Sequence, residues 1–437
     1  MKRYLILIIC ILTVSFVSCK KDDPAEISTE VSTDDAPARD ALYNIMQIYY
    51  LWNKLMPEVK KGDYPNPYKL LEGMRYRELD RWSYVQNYAE YEQQNQAIFV
   101  GHGIVISLDE NNNTRIAQIY NNAPLYAKGV RRGWIIKKLN DVEMAPIFIN
   151  NDGNAYNALM GASEAGITNK FLFEMPDGKD TIITDTKTTF KLNTVIHYDT
   201  LKLKTGTTGH IVFEQFISPS NDELKEAFAF FSQNNINNII VDLRYNGGGD
   251  LSVLQNLAAY IGGSSRFEKP FLKLTHNEQQ KSLDETMNFS SVDYPVNVGK
   301  MIVITTRGTA SASEDLINGL KPFMEIKTIG DTTNGKPVGM YGFTYPSRSP
   351  RYVFLPISFT LLNTDNESDF YEGIAPEKYV PDDITHDWND RNEACLKEAI
   401  YLLENGSTSP KGEYKYRKPV VFSEGSNKPN NAYLIDK

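Results

Sequence analysis

The sequence predicts a multidomain α/β protein, and three observations carry that prediction. The chain has 437 residues, more than one hydrophobic core usually serves, so two or three domains are expected. From Ala41, the residues Leu42, Ile45, Ile48, Tyr49, Trp52, Leu55 and Met56 recur at helical spacing, which gives one apolar face. From His210, apolar strand-like runs alternate with helical ones, the rhythm of an α/β core with partly parallel pairing.

The first segment reads as a targeting signal. Lys2 and Arg3 precede an apolar run, Tyr4 to Val17, interrupted only by Thr13 and Ser15. That run has the length of a secretory h-region and is short for a spanning helix. Ser18-Cys19 resembles a bacterial lipobox, so residues 1–18 are expected to be a signal peptide and Cys19 a lipidated N-terminus; an uncleaved anchor or an ordinary signal with a chance cysteine are the alternatives. The expected location is the cell envelope, with the membrane face left open. The acidic residues after Cys19 resemble the surface-export signals of some Bacteroidetes lipoproteins. Of the three cysteines, Cys10 leaves with the signal and Cys19 carries lipid, so Cys395 alone excludes an intrachain disulfide. Residues 19–37 are polar and aperiodic, a flexible tether of roughly 25 Å.

Residues 38–97 read as a helical domain, with helices from Ala41 and over Pro67 to Tyr76, closed by the aromatic corner Asp80-Arg81-Trp82-Ser83-Tyr84. Residues 98–187 read as mostly β: strands at Ile104 to Ile106 and Thr114 to Ile119, a short helix after Asn122-Ala123-Pro124, then Gly133-Trp134 before another strand. This order resembles a PDZ domain, a fold that adds an extended peptide to a sheet edge, although the usual Gly-Asp is here Gly133-Trp134; a generic small β domain is the alternative. Residues 188–405 hold the α/β core. Its strands are expected at Ile211 to Phe216, Ile239 to Val241, Met301 to Thr305 and Ile326 to Ile329. Its helices are expected over Leu224 to Phe231, Leu251 to Ile261, Ser311 to Leu320 and Trp388 to Leu403. The polar tail 406–437 need not be ordered.

The formal net charge of −9 argues against a nucleic-acid partner, which needs a basic patch. The chemistry concentrates in three places. Thr309-Ala310-Ser311-Ala312-Ser313-Glu314 lies between a buried strand and a helix, where unpaired helix N–H groups favour an acyl-transfer nucleophile and its oxyanion. Ser-x-x-Glu is equally a capping box, with Ser311 as cap. Lys336 follows Ser311 by 25 residues, past one helix and one strand that bring the chain back. A lysine acts as base only if its pKa falls from about 10.4 toward 7–8; alone it reads as a turn lysine. Gly247-Gly248-Gly249 directly follows a buried strand and allows close backbone approach to a ligand; its alternative is a plain strand-to-helix turn. No phosphate-loop motif, His-Glu-x-x-His or Cys-x-x-Cys is present, so neither nucleotide nor metal is expected.

Taken together, Asp242-Leu243-Arg244-Tyr245-Asn246-Gly247-Gly248-Gly249, Thr309-Ala310-Ser311-Ala312-Ser313-Glu314, Gly335-Lys336 and Gly373-Ile374-Ala375-Pro376 resemble the carboxyl-terminal processing (tail-specific) serine peptidase family. The resemblance covers about residues 40–405. It implies a peptidase core of the ClpP/crotonase-like type, cleaving protein or peptide substrates without a cofactor. Ser311 would be the nucleophile and Lys336 the base. The amides of Ala312 and of Gly248 or Gly249 would form the oxyanion hole, and Arg244 would brace the glycine turn. Many members carry Gln four residues after the lysine, where this chain has Met340. A thioether donates no hydrogen bond, so another group would have to hold Lys336. A second expectation is therefore a weakened peptidase-like binding or scaffolding lipoprotein. The sequence leaves the oligomeric state open.

Overall fold

The computed structural model describes residues 35–410, 414 and 420–423; the signal segment, Cys19 and nearly all of the tether lie outside them. Among the described residues, no helix is long and apolar enough to cross a membrane. The molecule is a mixed α/β, multidomain assembly with its helices first.

The first helix runs Ala36–Tyr49, earlier at both ends than the sequence spacing suggests. Pro37 sits in its first turn, where a missing N–H is no loss, and Tyr50 turns extended. Ala38, Leu42 and Met46 pack against Leu70, Leu71 and Met74 of the helix Pro67–Met74, whose start is fixed by Asn66 accepting the Lys69 N–H at 3.0 Å. Strand Tyr84–Asn87 then pairs with Tyr352–Leu355, which in turn pairs with Phe343–Tyr345, tying this segment to the core.

The β-rich region is one antiparallel sheet in the order 421–423, 104–108, 114–119, 135–139, 168–174, 180–186. In strand Thr168–Glu174, Asn169, Phe171 and Phe173 alternate inward, the period of two that one buried face imposes. Helices Ala145–Ile149 and Gly153–Met160 cover that face through Phe148 and Tyr156. The sheet's first strand, Val421–Ser423, comes from the tail that sequence reading leaves unstructured.

The core sheet has the order 195–203, 206–213, 238–242, 300–305, 325–330, 378–379. Its first pair is antiparallel and the other four pairings are parallel. Ile239, Val241, Met301 and Val303 face the helices Ser220–Gln233, Leu251–Gly262 and Ala312–Leu320. Ile240, Ile302, Ile304 and Ile329 face the helix Ala394–Asn405. Strands covered on both sides read as unbroken apolar runs, which is why they are visible in the sequence. Leu224, Phe228 and Phe231 are wholly buried on one of those helices, each contributing about 1.5–3 kcal/mol. The last helix starts at Ala394, six residues later than Trp388: Glu393 caps it by accepting the Leu396 N–H at 2.7 Å, and Trp388 instead lies under the Arg132 guanidinium. A four-stranded antiparallel sheet, 285–288, 270–276, 357–363, 338–340, completes the core.

Candidate active site

Parallel pairing decides which loops meet. Asp242 lies opposite Ile304 and Gly330 opposite Thr305, so three neighbouring strands end together and release three loops at one edge. Open α/β sheets bind ligands at that edge. The loops carry the glycine turn, Ser311 and Lys336.

Ser311 stands at the start of helix Ala312–Leu320 with φ +56° and ψ −121°, a left-handed conformation that a residue with a Cβ adopts only under strain. Gly248, φ +96°, packs directly on it: a Cβ there would lie 2.8 Å from the Ser311 Cβ and 2.7 Å from the Ala310 carbonyl. At Gly249 a Cβ would lie 2.0 Å from the Phe216 carbonyl. The turn is held by Asn246, which is fully buried. Its Oδ1 accepts the Gly248 N–H at 2.9 Å, and its carbonyl accepts the Ala310 N–H and the Ser313 hydroxyl. With the Gly248 N–H engaged, the Gly247, Gly249 and Ala312 N–H groups are without an acceptor among the described residues.

Glu314 joins the serine to the lysine. It is fully buried, and its carboxylate accepts the Ser311 N–H at 2.9 Å, the Gly335 N–H at 2.6 Å, the Lys336 N–H at 2.8 Å and the Thr333 hydroxyl. The reach back to Ser311 is that of a capping residue, extended here into a clamp on the Lys336 loop. Burial raises its pKa against those four donors. The clamp is reinforced from outside: the Asn334 N–H reaches the Thr309 carbonyl at 2.9 Å, Arg81 donates to the Asn334 and Tyr371 carbonyls at 3.0 Å, and the Trp82 indole donates to Asn334. The aromatic corner at 80–84, read from sequence as packing, is thus also a support of the lysine loop.

Lys336 is partly buried. Burial of its amine pushes its pKa down to about 8, against the opposing charges of Asp315, Glu314 and Asp80. At pH 7.5 roughly a quarter of such amines are neutral, against about 0.1% of ordinary lysines. Asp315 is the unexpected neighbour. It is fully buried, neither carboxylate oxygen has a hydrogen-bond partner among the described residues, and burial, with the Glu314 charge, pushes its pKa well up while Lys336 opposes that. Its signal in the sequence was an acid inside an apolar helix.

The remaining expected residues sit differently. The Arg244 guanidinium binds Asp242, Asp382 and Glu393 and is not hydrogen-bonded to the glycine turn, whose brace is Asn246. Met340 lies on strand Val338–Met340 in the apolar cluster under the first two helices. Cys395 is a buried free thiol; Cys19 lies outside the described residues. Among the described residues, His197, Asp199 and His210 are a group with metal-ligand geometry. Each histidine faces one Asp199 oxygen at 3.4 Å, and His197 Nε2, Asp199 Oδ1 and both ring nitrogens of His210 are buried without a hydrogen-bond partner among the described residues.

Comparison with known proteins places the chain in a family. The Peptidase family S41 model matches residues 207–380 and the Peptidase S41 N-terminal domain model residues 38–84, together just over half of the chain. The carboxy-terminal processing protease CtpB of Bacillus subtilis is 25% identical over 251 residues, 54% of this chain and 50% of that protein. A carboxyl-terminal-processing protease of Picosynechococcus is 27% identical over 197 residues, 45% and 44% of the two chains. The chain therefore spans about half the length of the curated relatives it matches. A Bacteroides fragilis crystal structure assigned to the S41 proteases superposes with a TM-score of 0.69 at 19% identity, covering 84% of this chain and 97% of that one, a likeness of fold. By its two family models and the sheet that gathers their motifs, the chain belongs to peptidase family S41.

Proposed function

We propose that this chain is a serine endopeptidase working through a Ser311–Lys336 dyad. The observation that carries the reading is the Glu314 clamp, which fixes a strained, partly exposed serine and a lysine of lowered pKa on adjoining loops. In the neutral form Lys336 takes the Ser311 Oγ proton as Oγ attacks the peptide carbonyl carbon. The Ala312 and Gly249 N–H groups receive the oxyanion. The protonated Lys336 then gives its proton to the leaving amine, and water, activated by the same amine, releases the acyl group. The β-rich domain is read as PDZ-like, holding an extended peptide or tail of the substrate. Cys19 is read as the lipid anchor that keeps the enzyme in the cell envelope; replacing it by Ala should abolish labelling by palmitate.

The test compares the full chain with Ser311→Ala and Lys336→Ala on an unfolded protein substrate. Cleavage by the parent alone, with an active-site serine probe labelling Ser311, is expected. Equal cleavage by all three would sink the mechanism. A parent that neither cleaves nor takes the probe would favour the binding-protein reading.

A further inference from the structure

Residues 421–423 do not simply trail along the surface. They pair antiparallel with strand Ile104–Leu108, Val421 opposite Ser107, Phe422 opposite Ile106 and Ser423 opposite Val105, and the Ser107 hydroxyl donates to the Val420 carbonyl at 3.1 Å. Phe422 is 2% exposed. Its ring lies edge-on to Phe148 at 4.5 Å and stacks on Tyr156 at 5.1 Å, and a Cβ added at Gly153, at the start of helix Gly153–Met160, would lie 3.7 Å from it. The seat is therefore a groove with two parts. A strand edge offers backbone hydrogen bonds to any sequence, and an aromatic slot between that edge and the helices rewards a large flat side chain, worth about 0.5–1.5 kcal/mol per ring pair beyond area.

We propose that this groove, the peptide seat expected of a PDZ-like domain, is held by the chain's own residues 421–423 as a resident occupant, which an incoming extended segment with a large aromatic side chain has to replace. The seated residues are internal to the chain, so the groove reads a segment through its backbone and one aromatic ring and requires no terminal carboxylate. An incoming segment must displace Phe422, which, belonging to the same chain, competes as an intramolecular ligand. The inference rests on the peptidase reading only in taking the incoming segment to be substrate.

The full chain carrying Ser311→Ala is titrated with a fluorescein-labelled peptide reproducing residues 417–426, alone and with Phe422→Ala added. Anisotropy should show binding at least ten-fold tighter to the Phe422→Ala chain, and loss of that binding when the peptide's own phenylalanine is alanine. Equal affinity for the two chains, no binding to either, or full affinity of the alanine peptide would overturn the proposal. Hydrogen exchange gives a second reading: amides of residues 104–108 should exchange faster in Phe422→Ala and regain protection with saturating peptide, and unchanged protection counts against it. Because these chains lack the nucleophile, the result is independent of whether Ser311 and Lys336 cleave peptides.

Discussion

Two cations, the buried Arg244 and the partly buried Lys336, sit on loops from strands of one sheet with a single strand between them, and are treated in opposite ways. Arg244 is 2% exposed and fully answered. Its guanidinium meets Asp242 at 2.7 Å, Asp382 at 2.7 Å and Glu393 at 2.9 Å, and Arg132 shares Asp382 from the β-rich domain. Its pKa is raised, because those carboxylates outweigh burial. Around Lys336 three acids contribute charge, yet two are committed elsewhere. Glu314 serves four donors, and Asp80 accepts the Trp82 and Ser83 N–H groups and the Tyr50 hydroxyl. Among the described residues the Lys336 amine makes no hydrogen bond. A buried charge that is completely paired is locked; one left partly unpaired titrates near neutrality and is available for chemistry.

The largest expected effect separates the two. Arg244→Met leaves Asp242 and Glu393 buried without their cation and should cost about 3–5 kcal/mol, read as a lowered urea midpoint. Lys336→Met removes a poorly paired amine and should leave that midpoint unchanged or raised, while cleavage falls at least about 1,000-fold. Equal destabilisation by both would break the comparison. Next in size is Gly248→Ala. The added Cβ meets Ser311 and the Ala310 carbonyl, so kcat should fall about 100-fold or more, with folding retained by circular dichroism.

The parts legible in the sequence were those set by periodicity and by local motifs. The apolar runs at 239–241 and 301–305 show because both faces of those strands are covered, and Ser311, Lys336 and the glycine turn show because each lies at a strand end. The Asn246 brace, the four-way use of Glu314 and the Arg244 cluster were hidden, because beside local partners each has others 19 to 149 residues away. The same holds for the tail strand: Val420-Val421-Phe422 is too short an apolar run to mark a strand until the groove that receives it is known.

A smaller effect sharpens the electrostatics. Only neutral Lys336 can accept a proton, so kcat/KM should rise with pH through a midpoint of about 8. The Asp315 charge favours the ammonium and holds that pKa up, so Asp315→Asn should move the midpoint to lower pH. A pH–rate profile checks both. A midpoint that stays in place in Asp315→Asn would mean that Asp315 is protonated across this range and contributes no charge to the pocket.

The smallest expected effect concerns Met340. Its place is held by Gln in many proteins that this sequence resembles, and a glutamine amide could hydrogen-bond a lysine amine. Here the lysine loop is already fixed, through its backbone by Glu314 and Arg81 and through the Asn334 side chain by Trp82, while Met340 pairs with Ile357 beside the apolar cluster of the N-terminal helices. Met340→Gln should therefore change kcat/KM by less than about three-fold, at a stability cost of about 1–3 kcal/mol for an amide placed among apolar side chains. A gain of ten-fold or more with an unchanged pH midpoint would show instead that the orientation of the amine, and not its protonation, limits the dyad.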